Sequence, residues 1–145
     1  MIKDKLTCKG VVTITAKDID GNELWSRTKD NLVVDHGRTS VCHLLAGDTA
    51  GRSIAQLGYG TDNTAPTVAD NSLTGPYTNA VVGFTYPSAT SVQIEGYLDY
   101  TEDNGVTIQE LALITGDGNF YSRIVWPPII KTSGIALTIT WLLTF

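Results

Sequence analysis

The last eleven residues, IALTITWLLTF (135–145), carry the pattern that decides the fold. Larger apolar side chains stand at every second position, and small or hydroxyl-bearing side chains stand between them. The first set is Ile135, Leu137, Ile139, Trp141, Leu143 and Phe145, and the second includes Ala136, Thr138, Thr140 and Thr144. Because side chains alternate between the two faces of a strand, the pattern predicts a β-strand with one face in a core.

The same period of two recurs upstream and indicates further strands. The runs are GVVTITAKD (10–18), AVVGFTY (80–86), TSVQIEGYLDY (90–100) and VTIQELALIT (106–115), with turn signals at 20–22 and 102–105. The first turn makes residues 10–28 an N-terminal β-hairpin. Turns recur at the spacing of a sandwich. The sequence therefore predicts one domain (1–145), mainly β, an antiparallel β-sandwich of about eight strands with one short helix and a long loop.

One segment, GRTSVCHLLA (37–46), has the period of a helix. Val41, Leu44 and Leu45 share one face at the i, i+3, i+4 spacing. A helix this short is marginal alone, so we expect this face to dock on the sheet. Candidates for its ends are Asp35 or Thr39 as the N-cap and Gly47 as the C-terminal stop.

The stretch GYGTDNTAPTVAD (58–70) opens a long loop, predicted over 61–77. A phosphate-binding loop is disfavoured because no Lys–Ser/Thr pair and no helix follow the glycines. Calcium is the second alternative. Suitable oxygen donors are Asp62, Asn63, Asp70 and Asn71, but their spacing is not that of an EF-hand. A connection rich in side-chain-capped turns is the favoured interpretation, and no cofactor or metal is expected.

Composition limits the classes of partner. The chain carries a net charge of −5 and is 42% hydrophobic and 17% charged. Nucleic acid is not an expected partner, because phosphate binding needs clustered Lys and Arg. Neither is a membrane, because no apolar stretch is long enough to span one. Cys8 and Cys42 are expected to be reduced thiols, although a single disulfide is also compatible with the sequence.

The titratable residues give no pattern typical of catalysis, and we expect no enzyme. Cys42 and His43 are adjacent on the predicted helix and point about 100° apart, so they form no dyad. His36 and His43 alone make a poor zinc site, and one core thiol with two partly exposed histidines is the favoured interpretation.

Glu110 is the exception among the carboxylates, because it alternates with apolar residues of its strand. It is predicted to share a face with Ile108, Ala112 and Ile114. A buried carboxylate needs a partner, and Arg123 or Lys131 would serve. A structural ion pair is favoured over a lone catalytic acid.

Aromatic residues leave two interpretations open. Tyr97, Tyr100, Tyr121, Trp126 and Trp141 would suit a sugar-binding platform. Sandwich cores and subunit interfaces use the same residue types.

Several segments in order resemble a group of small phage virion structural proteins. They are NLVVDHGRTSVCHLLAGD (31–48), LGYGTDNTAPTVADNSL (57–73), IQELALITGDGNFYSRIVWPPIIKT (108–132) and LTITWLLTF (137–145). These proteins occur as tail-fibre segments and as head-associated proteins. The resemblance implies a non-enzymatic β-sandwich used in virion assembly, at either place.

The absence of fibrous repeats or heptads favours a head decoration (cement) protein. Such a protein would be made in the host cytoplasm and would bind the major capsid protein on the virion's capsid surface as a dimer or trimer. Its candidate contacts are Asn22, Trp25, Tyr59, Thr64, Pro66 and Tyr77. The alternative is a tail-fibre or baseplate module that binds host surface glycans through Trp126 or Tyr121.

Overall fold

The computed structural model describes residues 7–145, so the domain predicted over 1–145 is seen without its first six residues. It has ten strands and one helix. In chain order they are β1 (Lys9–Lys17), β2 (Glu23–Asp30), β3 (Leu32–Val33), α1 (Asp35–Leu45), β4 (Ile54–Gly60), β5 (Tyr77–Ala80), β6 (Gly83–Ser88), β7 (Ser91–Leu98), β8 (Val106–Thr115), β9 (Phe120–Lys131) and β10 (Ala136–Thr144). The predicted mainly β class and sandwich-like arrangement are confirmed.

The strands form two antiparallel five-stranded sheets. Sheet A has the order β2-β1-β10-β7-β6, and sheet B has the order β3-β9-β8-β4-β5. Each sheet turns one face to a common core. Sheet A contributes Val12, Ile14, Ala16, Ile94, Leu98, Leu137, Ile139, Trp141 and Leu143, and sheet B contributes Val33, Leu57, Tyr59, Ile108, Leu111, Leu113, Tyr121, Ile124, Trp126 and Ile129.

The C-terminal strand lies at the centre of sheet A, between β1 and β7. Leu137, Ile139, Trp141 and Leu143 are buried, as the alternation predicts. Phe145 follows the strand and is 42% exposed, so the inward pattern ends at Leu143.

Two short connections carry the chain from an edge strand of one sheet to an edge strand of the other. Asn31 separates β2 of sheet A from β3 of sheet B. Val81 and Val82 separate β5 of sheet B from β6 of sheet A. The run 80–86, predicted as one strand, is therefore divided between two sheets. The additional short strands raise the number from about eight to ten.

Helix α1 docks differently from the prediction. Of the predicted apolar face, Val41 is partly buried against the main core, but Leu44 and Leu45 are 39% and 79% exposed. The buried residues of the helix are Gly37 and Ser40. A Cβ on Gly37 would lie 2.2 Å from the carbonyl oxygen of Tyr121. The helix therefore approaches β9 through its smallest side chains, and a close backbone approach outweighs the leucine face.

The ends of α1 also depart partly from the prediction. Val34 is the N-cap and makes no side-chain cap, while Asp35 lies in the first turn and pairs with Arg38 at 3.1 Å. Gly47 follows the helix with a φ of +81°, the left-handed conformation expected after a helix end. Among residues 7–145, no helix is long and apolar enough to cross a bilayer.

Candidate functional site

The long loop covers the outer face of sheet B. It runs from Thr61 to Pro76, since Tyr77 already belongs to β5. Leu73 packs on a small apolar cluster on this face, formed by Val34, Ala112, Ile114 and Phe120. We call this segment the cover loop. The polar groups beneath it determine how it is held.

Beneath the cover loop lies a buried ion pair between adjacent strands. Glu110 of β8 is 0% exposed and Arg123 of β9 is 3% exposed. The Nε and Nη2 atoms of Arg123 donate to Oε2 of Glu110 at 2.9 and 2.8 Å. Of the two cations considered from sequence, the structure places Arg123 on Glu110.

The surroundings of Glu110 differ from the sequence interpretation in one respect. Ala112 and Ile114 lie in the outer apolar cluster, but Ile108 belongs to the main core with Leu111 and Leu113. The β8–β9 ladder is irregular between Ile108 and Glu110. This irregularity separates Ile108 from the outward-facing positions that follow it.

Arg123 also binds the cover loop. Its Nη1 donates to Oδ2 of Asp70 at 2.9 Å and to the carbonyl oxygen of Thr64 at 3.0 Å. Its Nη2 lies 3.6 Å from Oδ2 of Asp62. Burial alone would lower the pKa of Arg123, but its bonds to Glu110 and Asp70 raise it overall. The guanidinium stays charged and joins three carboxylates, which we call the ion cluster.

Glu110 supplies a second tie to the cover loop. Its Oε1 accepts a hydrogen bond from the backbone N–H of Thr74 at 2.7 Å. Thr61 and Thr74 are joined by a backbone bond of 3.1 Å, which closes the base of the loop. A Cβ on Gly60 would lie 2.3 Å from Oε1 of Glu110, so this glycine leaves room for the carboxylate. The second glycine of GYG therefore has a packing role.

The carboxylates considered as calcium ligands are occupied by protein donors. Asp62 accepts bonds from the N–H and hydroxyl of Thr64, and these bonds, the N–H first, lower its pKa. Burial pushes the pKa of Asp70 upward, but bonds from Thr67 and Arg123 lower it overall. Within residues 7–145, no group of three or more His, Cys, Asp or Glu is arranged to hold a metal ion.

The other two calcium candidates, Asn71 and Asn63, differ from each other in their contacts. Asn71 donates to Oδ1 of Asn119 at 3.0 Å and accepts from the N–H of Phe120 at 2.8 Å. These bonds tie the middle of the cover loop to the β8–β9 turn. Asn63 is exposed. The segment is thus a turn-rich connection fixed at several points.

A second polar network holds the start of β5. Tyr77 donates to Oε2 of Glu102 at 3.0 Å, and Asn79 donates to the same oxygen at 2.9 Å. The hydroxyl of Tyr59 donates to Asn79, and Tyr59 is 0% exposed. Tyr59, proposed from sequence as a partner contact, is thus a core residue because β4 turns it inward. Tyr77 is half-buried.

Lys131 lies in different surroundings from Glu110. Its Nζ donates to Oδ1 of Asn104 at 2.8 Å and to the carbonyl oxygen of Thr132 at 3.1 Å. Burial lowers its pKa, and the nearby carboxylates of Asp99 and Asp103 oppose that shift. It is not a hydrogen-bond partner of Glu110, because it stands at one end of the β8–β9 ladder, opposite Val106, whereas Glu110 lies near the middle, opposite Val125.

The other contact candidates fall into two groups. Asn22 is exposed in the hairpin turn, and Trp25 is half-buried beneath the guanidinium of Arg27, 5.0 Å from the ring centroid. Thr64 is exposed on the cover loop, and Pro66 is half-buried there.

One connection relates the hairpin to the start of β5. Tyr100 donates to the carbonyl oxygen of Asp18 in the hairpin turn, and Glu102, two residues on, accepts from Tyr77. Asn22 and Tyr77 therefore lie at the same end of the sandwich. Thr64 lies above the ion cluster instead.

The aromatic residues considered as a sugar platform are mostly internal. Trp141, Trp126 and Tyr121 are 0%, 2% and 5% exposed. Tyr97 is 41% exposed on the outer face of sheet A. Trp126 and Tyr121 both pack in the main core, so substituting either would remove core packing.

Both cysteines carry free thiols and line a cavity of about 380 Å³ between α1 and the ends of β1 and β10. Burial raises the pKa of Cys8, although Tyr121 donates a hydrogen bond to its sulfur. Cys42 is exposed, contrary to the expected core thiol. His43 contacts Asp48 through Nδ1 at 2.6 Å, and His36 is exposed.

Sequence reasoning missed the loop's part in the ion cluster. Asp62 and Asp70 reach Arg123 only because the cover loop folds back over sheet B, a long-range arrangement with no local sequence signal. No model of a known protein family, no curated protein and no solved structure matches this chain.

Proposed function

We propose that this chain is a structural protein of a phage particle that decorates the capsid. It binds the major capsid protein at the outer surface and bridges capsid subunits, acting as a cement. The sequence resemblance supports the phage setting. The observation that carries the docking role is the cover loop held over the buried ion cluster by Arg123 and Glu110.

A fixed loop is suited to docking. Binding a partner with a mobile loop costs free energy, because the loop loses conformational freedom on association. Here the bonds to Arg123 and Glu110 order the cover loop before any partner arrives. The binding free energy is then available to stabilise the assembled shell, which is favoured by mass action over states that lack the site.

Most of the exposed surface of the cover loop is uncharged, although the protein is acidic. The side chain of Asp62, which is 38% exposed, is the exception. Its exposed residues are Asn63, Thr64, Ala65, Thr67, Val68, Ala69, Asn71, Ser72, Thr74, Gly75 and Pro76. Its only two charged residues, Asp62 and Asp70, are half-buried and turn toward Arg123. Docking such a surface requires little desolvation of charge, which favours contact with another protein.

Capsids lacking the chain, from the phage that encodes it, provide the test. The purified chain is mixed with them and bound copies are measured by co-sedimentation. Ala65→Arg places a bulky charge on the exposed loop, and Asn22→Arg does the same in the hairpin turn. Ser133→Arg, at an exposed position in the β9–β10 turn, is the matched control.

We expect Ala65→Arg to weaken capsid binding by at least about tenfold, because the charge would be buried against the shell. Ser133→Arg should bind as the unmodified chain does. If Asn22→Arg alone weakens binding, the hairpin and not the loop is the contact. Absence of co-sedimentation, or reconstructed density only at the tail tip, rejects the cement role, and the latter supports the tail-fibre alternative.

A further inference from the structure

The two edge strands of sheet A differ in chemistry. Edge strand β2 has four charged residues among eight, Glu23, Arg27, Lys29 and Asp30. Edge strand β6 has none among six. Charged side chains on an edge strand discourage pairing with another chain, so β2 is protected in this way and β6 is not.

The segment that contains β6 is also free of charge, although Glu95 of β7 stands opposite Gly83 in the β6–β7 ladder. No Asp, Glu, Lys or Arg occurs between Asp70 and Glu95. Val82, Phe84 and Tyr86, spaced by two, are 66%, 46% and 79% exposed. Exposed apolar side chains gathered on one unprotected edge mark a protein interaction surface.

The apolar surface extends beyond the strand itself. Tyr86 lines a shallow cavity of about 350 Å³ with Val92 and Phe145. Phe145 is itself 42% exposed. An edge pairing at β6 would therefore bury side chains from β6, β7 and the C-terminus together, which adds to the area of a short strand contact.

We propose that β6 pairs antiparallel with β6 of a second copy about a two-fold axis. Strand β6 has β7 on one side and no strand from residues 7–145 on the other. The pairing would join two copies of sheet A into one continuous sheet. This inference does not depend on the capsid role, because it concerns the isolated chain.

Two observations favour a second copy as the occupant. An antiparallel strand pair about a two-fold axis is self-complementary, so one edge supplies both halves of the interface. Each copy has a net charge of −5, so two copies repel over most of their surfaces. The region from Asn71 to Ile94 is where they can meet without charge against charge.

The short pairing segment and the closed two-fold contact limit the assembly to two copies. Pro87 lacks an N–H, and the β6–β7 ladder is irregular between Thr85 and Ser88. Pairing is therefore confined to about Val82–Tyr86. A two-fold contact of this kind closes on itself and leaves β2, the other edge of sheet A, with its charges outside.

Sedimentation equilibrium of the purified chain is the test. We expect a mass of twice the 15.6 kDa monomer at the higher concentrations. Tyr86→Lys places a charge opposite Val82 of the second copy, inside the apolar contact, and should weaken the dimer at least about tenfold. Leu24→Lys is the matched control, because Leu24 is 50% exposed on the opposite edge strand. It should leave the dimer unchanged.

Hydrogen exchange distinguishes strand pairing from a side-chain contact. Backbone amides within 83–86 that face away from β7 should become more protected as the dimer forms, and those of β2 should not. The amide of Val82 already donates to the carbonyl oxygen of Glu95 and is not a reporter. Circular dichroism melts check that Tyr86→Lys, at a largely exposed position, remains folded. A monomer or trimer at all concentrations overturns the proposal. So does a dimer sensitive to Leu24→Lys but not to Tyr86→Lys, or one without protection within 83–86.

Discussion

The outer faces of the two sheets follow the same alternation. They differ in the residues they carry and in whether another part of the chain covers them. Sheet B carries Glu110 and Arg123 on its outer face, and the cover loop and α1 lie against that sheet. Sheet A carries mainly hydroxyl groups on its outer face, together with the half-buried Glu95 opposite Thr140, and no element within residues 7–145 covers it. The face with the buried ion pair is thus the covered one, and the face with mainly hydroxyl groups is the uncovered one.

Two pairs of hydroxyl groups on sheet A are joined across neighbouring strands. Thr13 and Thr28 are joined through their hydroxyls at 2.9 Å, and Thr15 and Ser26 at 3.0 Å. Neutral groups that pair across neighbouring strands tolerate exposure without cost. A buried carboxylate is stable only with a full set of partners, and on sheet B the cover loop supplies part of that set.

Removing the cation of the ion cluster should have the largest effect on stability, because it acts on the covered face of sheet B alone. Arg123→Met leaves Glu110 buried without a cation and frees Asp70 and the Thr64 carbonyl. We expect the free energy of unfolding to fall by about 3–5 kcal/mol. Urea unfolding followed by circular dichroism measures it.

The control for that prediction is Arg27→Met on sheet A. Arg27 is exposed and lies over Trp25, so its loss should cost no more than about 1 kcal/mol. Equal losses for Arg123→Met and Arg27→Met would show that the ion cluster has no special part in stability.

The docking of α1 on sheet B gives the next largest effect. In Gly37→Ala the new methyl would lie 2.2 Å from the Tyr121 carbonyl oxygen, a backbone atom that cannot move freely. We expect a loss of about 1–3 kcal/mol from overpacking. Thermal unfolding of this variant and of Gly134→Ala, where the nearest atom is 3.7 Å away, measures it.

Intrinsic helix propensity alone predicts a change in stability of the opposite sign. Alanine is favoured over glycine inside a helix by about 1 kcal/mol, so an unhindered position would gain stability from Gly37→Ala. A stabilised variant would mean that α1 does not approach β9 closely. The sign of the change alone therefore decides the point.

Sequence periodicity predicted most of the strands but not what covers the sheets. Alternation in 135–145 identified the inward residues of β10, since it depends only on the strand itself. The docking of α1 through Gly37 and the return of Asp70 to Arg123 depend on distant backbone positions. Glu110, an isolated charge on an apolar strand, was the one local sign that a cover was needed.

As the pH falls, the cover loop on sheet B should open before the strands of sheet A do. The pKa of Asp70 is lowered in the folded chain, so the native state binds fewer protons there than the unfolded state. Its stabilising contribution is complete above the ordinary Asp pKa of about 3.9 and is lost as pH falls through the folded-state value. Exchange of the cover-loop amides should therefore rise, relative to those of β1, below about pH 4.

Asp70→Asn separates this effect from general acid unfolding. The variant keeps the size of the side chain but loses the charge-assisted bond to Arg123, at a cost of about 1–2 kcal/mol near neutral pH. Its stability should then fall less steeply with acid than that of the unmodified chain. Parallel pH profiles would mean that Asp70 does not report the loosening of the loop.

The smallest effect is expected on sheet A. Thr13→Val removes one hydroxyl of the Thr13–Thr28 pair and keeps the β-branched shape of the side chain. Thr28 is exposed, so water replaces the lost partner, and the free energy of unfolding should change by no more than about 0.5 kcal/mol. Urea unfolding measures the difference. A loss above about 1 kcal/mol would show that the hydroxyl pairs hold sheet A together. The contrast between the faces would then lie in the kind of polar contact and not in the need for a cover.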